Sequence, residues 1–205
     1  FDEPLYAHYL KVSQSTHPGR EDGLASQEND GDKVIQDIIL KDCQKHCFFK
    51  LMTHFLVNID KSFLKRVTNI IFIRDPREII LSYSKVIPYP KLSDIGIKMQ
   101  VDLFNYLKDF DAEPIILDSK FLLKNPEGVL RKLCYMIGIP YFDDMLKWER
   151  GPKNEDGIWA KYWYDNVHNS TSFSSYKKSN IKLSKDLQLL YDESFPFYHF
   201  LTKKS

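Results

Sequence analysis

The stretch that decides the fold reads NIIFIRDPREIILSYSK and occupies residues 69–85. Its four consecutive apolar residues, 70–73, predict a short strand that is buried on both faces. Arg74 ends the apolar run, and Asp75 and Pro76 are typical of the cap and the first turn of a helix. The stretch therefore predicts a strand, a turn and a helix in succession, with an arginine at the carboxyl end of the strand.

Other stretches repeat this alternation of short apolar strands and amphipathic helices. Cys47–Met52 and Glu113–Asp118 read as two further buried strands. Residues 93–110 have helical spacing, and Asn125 begins another helix that Gly138 ends. This order predicts a parallel sheet with helices on both faces, which is an open three-layer α/β fold.

Three weaker patterns complete the prediction. Residues 12–33 are polar and contain Pro18 and several glycines, which favours a loop. Residues 158–167 are aromatic and favour a helix. The last helix begins at Ser184, and Pro196 is predicted to end or bend it.

Composition excludes several classes of protein and of partner. A length of 205 residues suits one domain, 1–205, with a real core. The 29 basic and 28 acidic residues nearly balance, so no nucleic acid or anionic membrane is expected as a direct partner. No apolar run approaches the roughly 20 residues that a membrane span needs.

The cysteines predict neither a disulfide framework nor a metal site. There are three of them, Cys43, Cys47 and Cys134, and two flank His46. A fourth ligand and the usual two-residue spacing of a zinc site are missing. Free thiols in the cytoplasm or another reducing compartment are the favoured interpretation, with no metal.

Arg74 and Ser82 are candidates for a phosphate site. A guanidinium at a strand tip, beside the amino end of a helix, presents a fixed fork of donors to an anion. Ser82 follows eight residues later, about two turns into the helix, and its hydroxyl could face the same ligand. The alternatives are a solvated surface arginine and a small residue at a packing contact.

Several segments resemble one enzyme family. FIRDPREIILSYSK, residues 72–85, resembles the 3′-phosphate-binding segment of sulfotransferases, which move a sulfuryl group from 3′-phosphoadenosine 5′-phosphosulfate (PAPS) to a hydroxyl or amine. Residues 118–141 resemble the helix after the family's next strand, and residues 145–163 its late loop over the donor nucleotide. The opening FDEPLYAHYLKV, with KLMTH and HNSTSF, is similar to a bacterial-type group that acts on small hydroxylated substrates.

The resemblance implies roles for particular residues. Arg74 and Ser82 would bind the 3′-phosphate of the donor. His54 would take the proton of the acceptor hydroxyl, and Lys50 would neutralise charge on the leaving phosphate. The family spacing is usually Lys-x-His, whereas three residues separate Lys50 from His54 here. A partly buried histidine that caps a helix is the alternative for His54.

The late loop supplies three further candidates. The resemblance implies that a basic residue and a glycine of this loop contact the 3′-phosphate, which points to Arg150, Gly151 and Lys153. A surface loop with solvated charges is the alternative.

One family feature is missing from the sequence. Sulfotransferases hold the 5′-phosphosulfate in a loop rich in Ser, Gly and Thr, and none of the eight glycines lies in such a loop or in a G-x-x-x-x-G-K motif. We expect that loop to precede Phe1, so the domain 1–205 is predicted to be incomplete at its N-terminus. The predicted function is sulfuryl transfer from PAPS to a small-molecule hydroxyl acceptor. The alternative is a catalytically inactive sulfotransferase-like domain that serves as a structural or interaction subunit of a larger assembly.

Overall fold

The computed structural model describes residues 1–110 and 112–205. These residues form two compact units. Residues 1–67 and 149–171 make up the first, here named the helical unit, and residues 68–148 and 172–205 make up the second, here named the sheet unit.

The sheet unit contains the strand and the helix that residues 69–85 predict. Strand β1 covers Ile70–Ile73, and the next helix covers Pro76–Tyr83. The Asp75 carboxylate accepts a hydrogen bond of 2.9 Å from the backbone N–H of Arg77. Pro76 occupies the first turn, where its missing N–H would have had no partner within the helix. The predicted cap and start of this helix are therefore confirmed.

A second strand pairs with the first in parallel. Strand β2 covers Ile115–Asp118, and its register places Asp118 opposite Ile73 at the carboxyl ends. The fold is therefore α/β with a small parallel sheet, as predicted at that level. β1 is not buried on both faces, because Ile71 and Ile73 face the core while Phe72 is 49% exposed on the other side.

The remaining helices of the sheet unit depart from the sequence prediction at one point. Gly96, at φ +74°, divides the helix predicted for residues 93–110 into two. The last helix continues through Pro196, where an end or a bend was predicted. The helices are Leu92–Ile95, Ile97–Lys108, Ser119–Lys124, Pro126–Ile137, the 3₁₀ turn Asp143–Leu146 and Lys185–Thr202.

The apolar core of the sheet unit lies against one face of the two strands. Ile80, Ile97 and Leu201 are fully buried there, beside the inward side chains of β1. Each such side chain contributes about 1.5–3 kcal/mol on burial. The buried Asp118 caps the helix after β2 and accepts a hydrogen bond of 2.7 Å from the hydroxyl of Tyr198. This bond ties the last helix to the carboxyl end of β2.

The helical unit is built from short helices and connecting segments. Its helical segments are Tyr6–Ser13, Arg20–Ser26, Gly31–Val34, the π-helix Ile35–Ile39, the 3₁₀ turns Thr53–Phe55 and Lys61–Arg66, Ala160–Trp163 and Asp165–His168. The loop predicted for residues 12–33 is wrong in part, because the helix Arg20–Ser26 lies within it and the helix Gly31–Val34 begins within it. Among the residues that the structure describes, no helix is long and apolar enough to span a membrane.

The strand predicted for Cys47–Met52 is wrong. In this segment a single bridge joins Lys50 to Asp2, and Phe48 is 72% exposed. The backbone N–H of Lys50 donates to the carbonyl of Phe1, and the N–H of Glu3 donates to the carbonyl of Lys50. The apolar residues of this run predicted a buried strand. Its backbone pairs only with residues 1–3, and Phe48 faces solvent.

Candidate functional site

Arg74 directly follows the carboxyl end of β1, and most N–H donors of its guanidinium are available to a ligand. Its Nε–H donates to Oε2 of Glu78 over 2.9 Å, and its side chain is 47% exposed. Its two Nη groups have no other hydrogen-bond partner within residues 1–110 and 112–205. Because the helix Pro76–Tyr83 begins two residues later, the partial positive charge of its amino end adds to that of the guanidinium. The arginine that the sequence predicted at the strand tip therefore lies there, beside the amino end of a helix.

Ser82 lies on the same helix and is exposed. It follows Glu78 by four residues, so the two side chains project from neighbouring turns of one face. An anion at Arg74 would lie near the Glu78 carboxylate, which pairs with only one of the guanidinium nitrogens. Glu78 fixes the position of the Arg74 guanidinium. Its carboxylate would also compete with an anion for that guanidinium.

Lys50 belongs to a polar cluster that the sequence did not predict, here named the Lys50 cluster and formed by Asp2, Glu3, Lys50 and Tyr164. The ammonium of Lys50 pairs with the carboxylate of Glu3, lies 3.5 Å from Asp2 Oδ1 and donates to the Tyr164 hydroxyl over 2.5 Å. That hydroxyl donates to the Asp2 carboxylate, with oxygen distances of 2.8 and 2.9 Å. Lys50 is therefore held between two carboxylates.

The electrostatics of the Lys50 cluster keep its lysine charged. Burial disfavours the ammonium, but the Glu3 carboxylate and the Tyr164 hydroxyl outweigh that effect and raise the pKa of Lys50. Burial and the Glu3 carboxylate raise the pKa of Tyr164 to about 12, so this hydroxyl remains protonated at neutral pH. Burial also raises the pKa of Glu3, against the opposing effect of Lys50. The lysine is a fixed positive charge and not a proton acceptor.

His54 lies in an aromatic environment in the same unit. It is the middle residue of the turn Thr53–Phe55 and is half-buried. Its ring packs edge-on against Tyr9 at 5.0 Å and against Phe55 at 4.7 Å. The aromatic rings on two sides therefore fix the position of the His54 imidazole.

The late loop is anchored to the helix Asp165–His168. The N–H of Gly151, at φ +107°, donates to the carbonyl of His168 over 2.8 Å. Asp156 accepts a hydrogen bond from the backbone N–H of Lys153 and lies 2.8 Å from Nε2 of His168. Arg150 donates to the carbonyl of Asn169. Backbone and side-chain bonds both fix the loop, and the ammonium of Lys153 lies 4.0 Å from the Glu149 carboxylate.

The predicted site residues lie in both units. The sheet unit contains Arg74 and Ser82, and the helical unit contains Lys50, His54, Arg150, Gly151 and Lys153. Sequence reasoning missed Asp2, Glu3 and Tyr164. These partners lie 47 to 114 positions from Lys50, so no local pattern could have indicated them.

A cavity of about 600 Å³ opens in the helical unit beside the Lys50 cluster. Asp2 belongs to both, and the backbone N–H of Gly157 in the cavity wall donates to the Asp2 carboxylate. Its apolar walls come from Phe1, Pro4, Ile38, Ile158 and Trp159. Within the described part of the chain, no group of three or more His, Cys, Asp or Glu residues is arranged to hold a metal ion.

Comparison with known proteins gives the family. The family model that describes the sulfotransferase domain matches residues 1–205 of this sequence. Branched-chain-amino-acid aminotransferase-like protein 1 of Arabidopsis thaliana is 36% identical over 98% of this chain, and branched-chain-amino-acid aminotransferase-like protein 2 of the same plant is 34% identical over 97%. This chain spans about a third of the length of these relatives, 36% and 34%. No solved structure matches. The chain belongs to the sulfotransferase domain family.

Proposed function

We propose that this member of the sulfotransferase family transfers a sulfuryl group from PAPS to the hydroxyl of a small-molecule acceptor, without a metal. The observation that carries the proposal is the Arg74 guanidinium, whose Nη groups project from a strand tip beside a helix amino end. Two parallel N–H donors match two oxygens of a phosphate group, and they bind it more strongly than a point charge does.

The donor is assigned to the residues that the family resemblance indicates. Arg74 and Ser82 would bind its 3′-phosphate. The exposure of both side chains supports this assignment, because each can contact a ligand from solvent while the protein stays folded. PAPS supplies an activated sulfuryl group, with a phosphate oxygen as the leaving atom.

Acceptor chemistry is assigned to the helical unit. His54 would take the proton of the acceptor hydroxyl as its oxygen bonds to sulfur. The fixed charge of Lys50 would stabilise the negative charge on the leaving phosphate oxygen. The cavity of about 600 Å³, with its apolar walls and the Asp2 carboxylate, is our candidate for the acceptor pocket.

Membership of the sulfotransferase family also bears on how many domains the chain contains. We propose that residues 1–205 belong to one sulfotransferase domain, whose phosphosulfate loop lies on a segment outside these residues. The complete sheet would then have helices on both faces and more than the two strands described. The 49% exposure of Phe72 supports this proposal, because a strand of a parallel sheet is ordinarily covered on both faces.

A second function is favoured by the Lys50 cluster. Two carboxylates already neutralise the lysine that would act in catalysis. The chain would then be an inactive sulfotransferase-like domain that serves as a structural or interaction part of a larger protein. The two plant relatives support this alternative, because about two thirds of their length lies outside the part that this chain matches.

Calorimetric titration of adenosine 3′,5′-bisphosphate into the full-length protein tests the donor assignment. We expect Arg74→Ala to weaken binding by about 1.5–3 kcal/mol, because charge-assisted hydrogen bonds to the phosphate are lost. Arg131→Ala is the matched control, since Arg131 makes the same 2.9 Å pair from its Nε to a glutamate four residues away. Equal affinity of both variants and of the wild type would contradict the assignment of Arg74.

A further inference from the structure

Two thiols outside the proposed site lie side by side. The Sγ atoms of Cys43 and Cys47 are 2.9 Å apart, and both residues are exposed. The Cys43 thiol is also 2.7 Å from the carbonyl oxygen of Lys45, in the bend between the two cysteines. The short segment therefore presents both sulfurs together at the surface.

We propose that Cys43 and Cys47 are a redox-active pair, which closes to a disulfide by exchange with low-molecular-weight disulfides such as oxidised glutathione. A disulfide bond is 2.03–2.05 Å long, so the two sulfurs need to approach by about 0.9 Å. Their exposure gives a small disulfide direct access to either thiol. The pair needs no metal and does not depend on the proposed sulfuryl transfer.

The exchange proceeds in two balanced steps. The thiolate of one cysteine attacks a sulfur of oxidised glutathione, forms a mixed disulfide and releases one glutathione thiolate. The second cysteine, after losing its proton, attacks the protein sulfur of that mixed disulfide and displaces the other glutathione. The protein loses two electrons and two protons, and one glutathione disulfide becomes two glutathione thiols.

The exposure of both cysteines favours a reversible bond in this pair. The hydrogen bond with Cys43 raises the pKa of the Cys47 thiol, so the exchange should run faster in mildly alkaline buffer than at neutral pH. Disulfides in reducing compartments are usually transient, and exposed ones are the more easily reduced. The bond would close a ring of five residues that ends three positions before Lys50, so it would stiffen the segment that leads into the Lys50 cluster.

The third cysteine supplies a control. Cys134 is buried in the sheet unit, and its Sγ lies 3.8 Å from the Sδ of Met145. A small disulfide cannot reach it in the folded protein. Cys134 should therefore remain reduced under conditions that oxidise the surface pair.

The test equilibrates the full-length protein with glutathione buffers of increasing oxidised fraction, then blocks free thiols with N-ethylmaleimide and maps peptides by mass spectrometry. We expect Cys43 and Cys47 to lose reactivity together and to appear in one internally linked peptide without bound glutathione. Cys47→Ser should instead accumulate glutathione on Cys43, because the resolving thiol is gone. Cys134→Ser should behave as the wild type does.

Four outcomes would each overturn the proposal. The first is a wild-type pair that stays fully reduced in buffers that modify Cys43 of the Cys47→Ser variant. The second is glutathione carried independently by each cysteine. The third is a linked product that joins two protein chains, and the fourth is a bond that reductants do not reverse. Thioredoxin or dithiothreitol should restore both thiols, and failure to do so would exclude a reversible pair.

Discussion

Replacing His54 by alanine is expected to lower turnover by about 10²–10⁴-fold, the usual contribution of a positioned general base. The imidazole must be neutral to accept the proton of the acceptor hydroxyl, so the pH profile of wild-type turnover should have an acid limb. The alanine variant should lose this acid limb. Donor affinity should change little, because the proton comes from the acceptor.

The control for His54 lies in the same aromatic environment. His17 packs against Tyr9 at 5.6 Å, as His54 does at 5.0 Å, but it has no role in the proposed chemistry. His17→Ala should therefore keep most of the turnover and its acid limb. If His54→Ala retains full turnover but melts several degrees lower, His54 is a packing residue of the helical unit and not the base.

Lys50→Met is expected to reduce turnover by about 10²–10³-fold, because charge on the leaving oxygen is no longer neutralised. The acid limb that His54 produces should remain. The substitution also leaves the largely buried Glu3 carboxylate without its cation, which should lower the free energy of unfolding by about 1–3 kcal/mol. The measurements are steady-state turnover against pH and urea denaturation of the same preparations.

A double variant separates catalysis from stability. Lys50→Met with Glu3→Gln removes both charges of the pair, so it should recover most of the lost stability while turnover stays low. Recovery of turnover along with stability would show that Lys50 holds the fold and has no part in the reaction. That result would favour the structural or interaction role for this domain.

Local sequence signals account for the parts of the fold that were predicted correctly. The strand of residues 70–73, the Asp75 cap and the helix end at Gly138 each depend on a few adjacent residues, and the structure contains all three. Gly138 adopts φ +72°, which a residue with a side chain rarely does. The assignment of Arg74 and Ser82 to the donor site also depends on adjacent residues, those of the stretch 69–85.

Other features depend on residues far apart in the chain and could not be predicted. The run Cys47–Met52 looks like a strand, but its backbone pairs only around Asp2 and its aromatic Phe48 faces solvent. The partners of Lys50 come from both ends of the helical unit. The family resemblance implied a catalytic role for Lys50, and the structure adds two carboxylate partners that the sequence did not indicate.

Transfer of radioactive sulfur is the most direct test of the proposed function. The full-length protein would be incubated with ³⁵S-labelled PAPS and a panel of small hydroxyl compounds, with His54→Ala in parallel. We predict that at least one acceptor becomes labelled, that adenosine 3′,5′-bisphosphate forms in equal amount, and that both products fall together in the variant. Binding of the bisphosphate without labelling of any acceptor would contradict the account and identify an inactive domain.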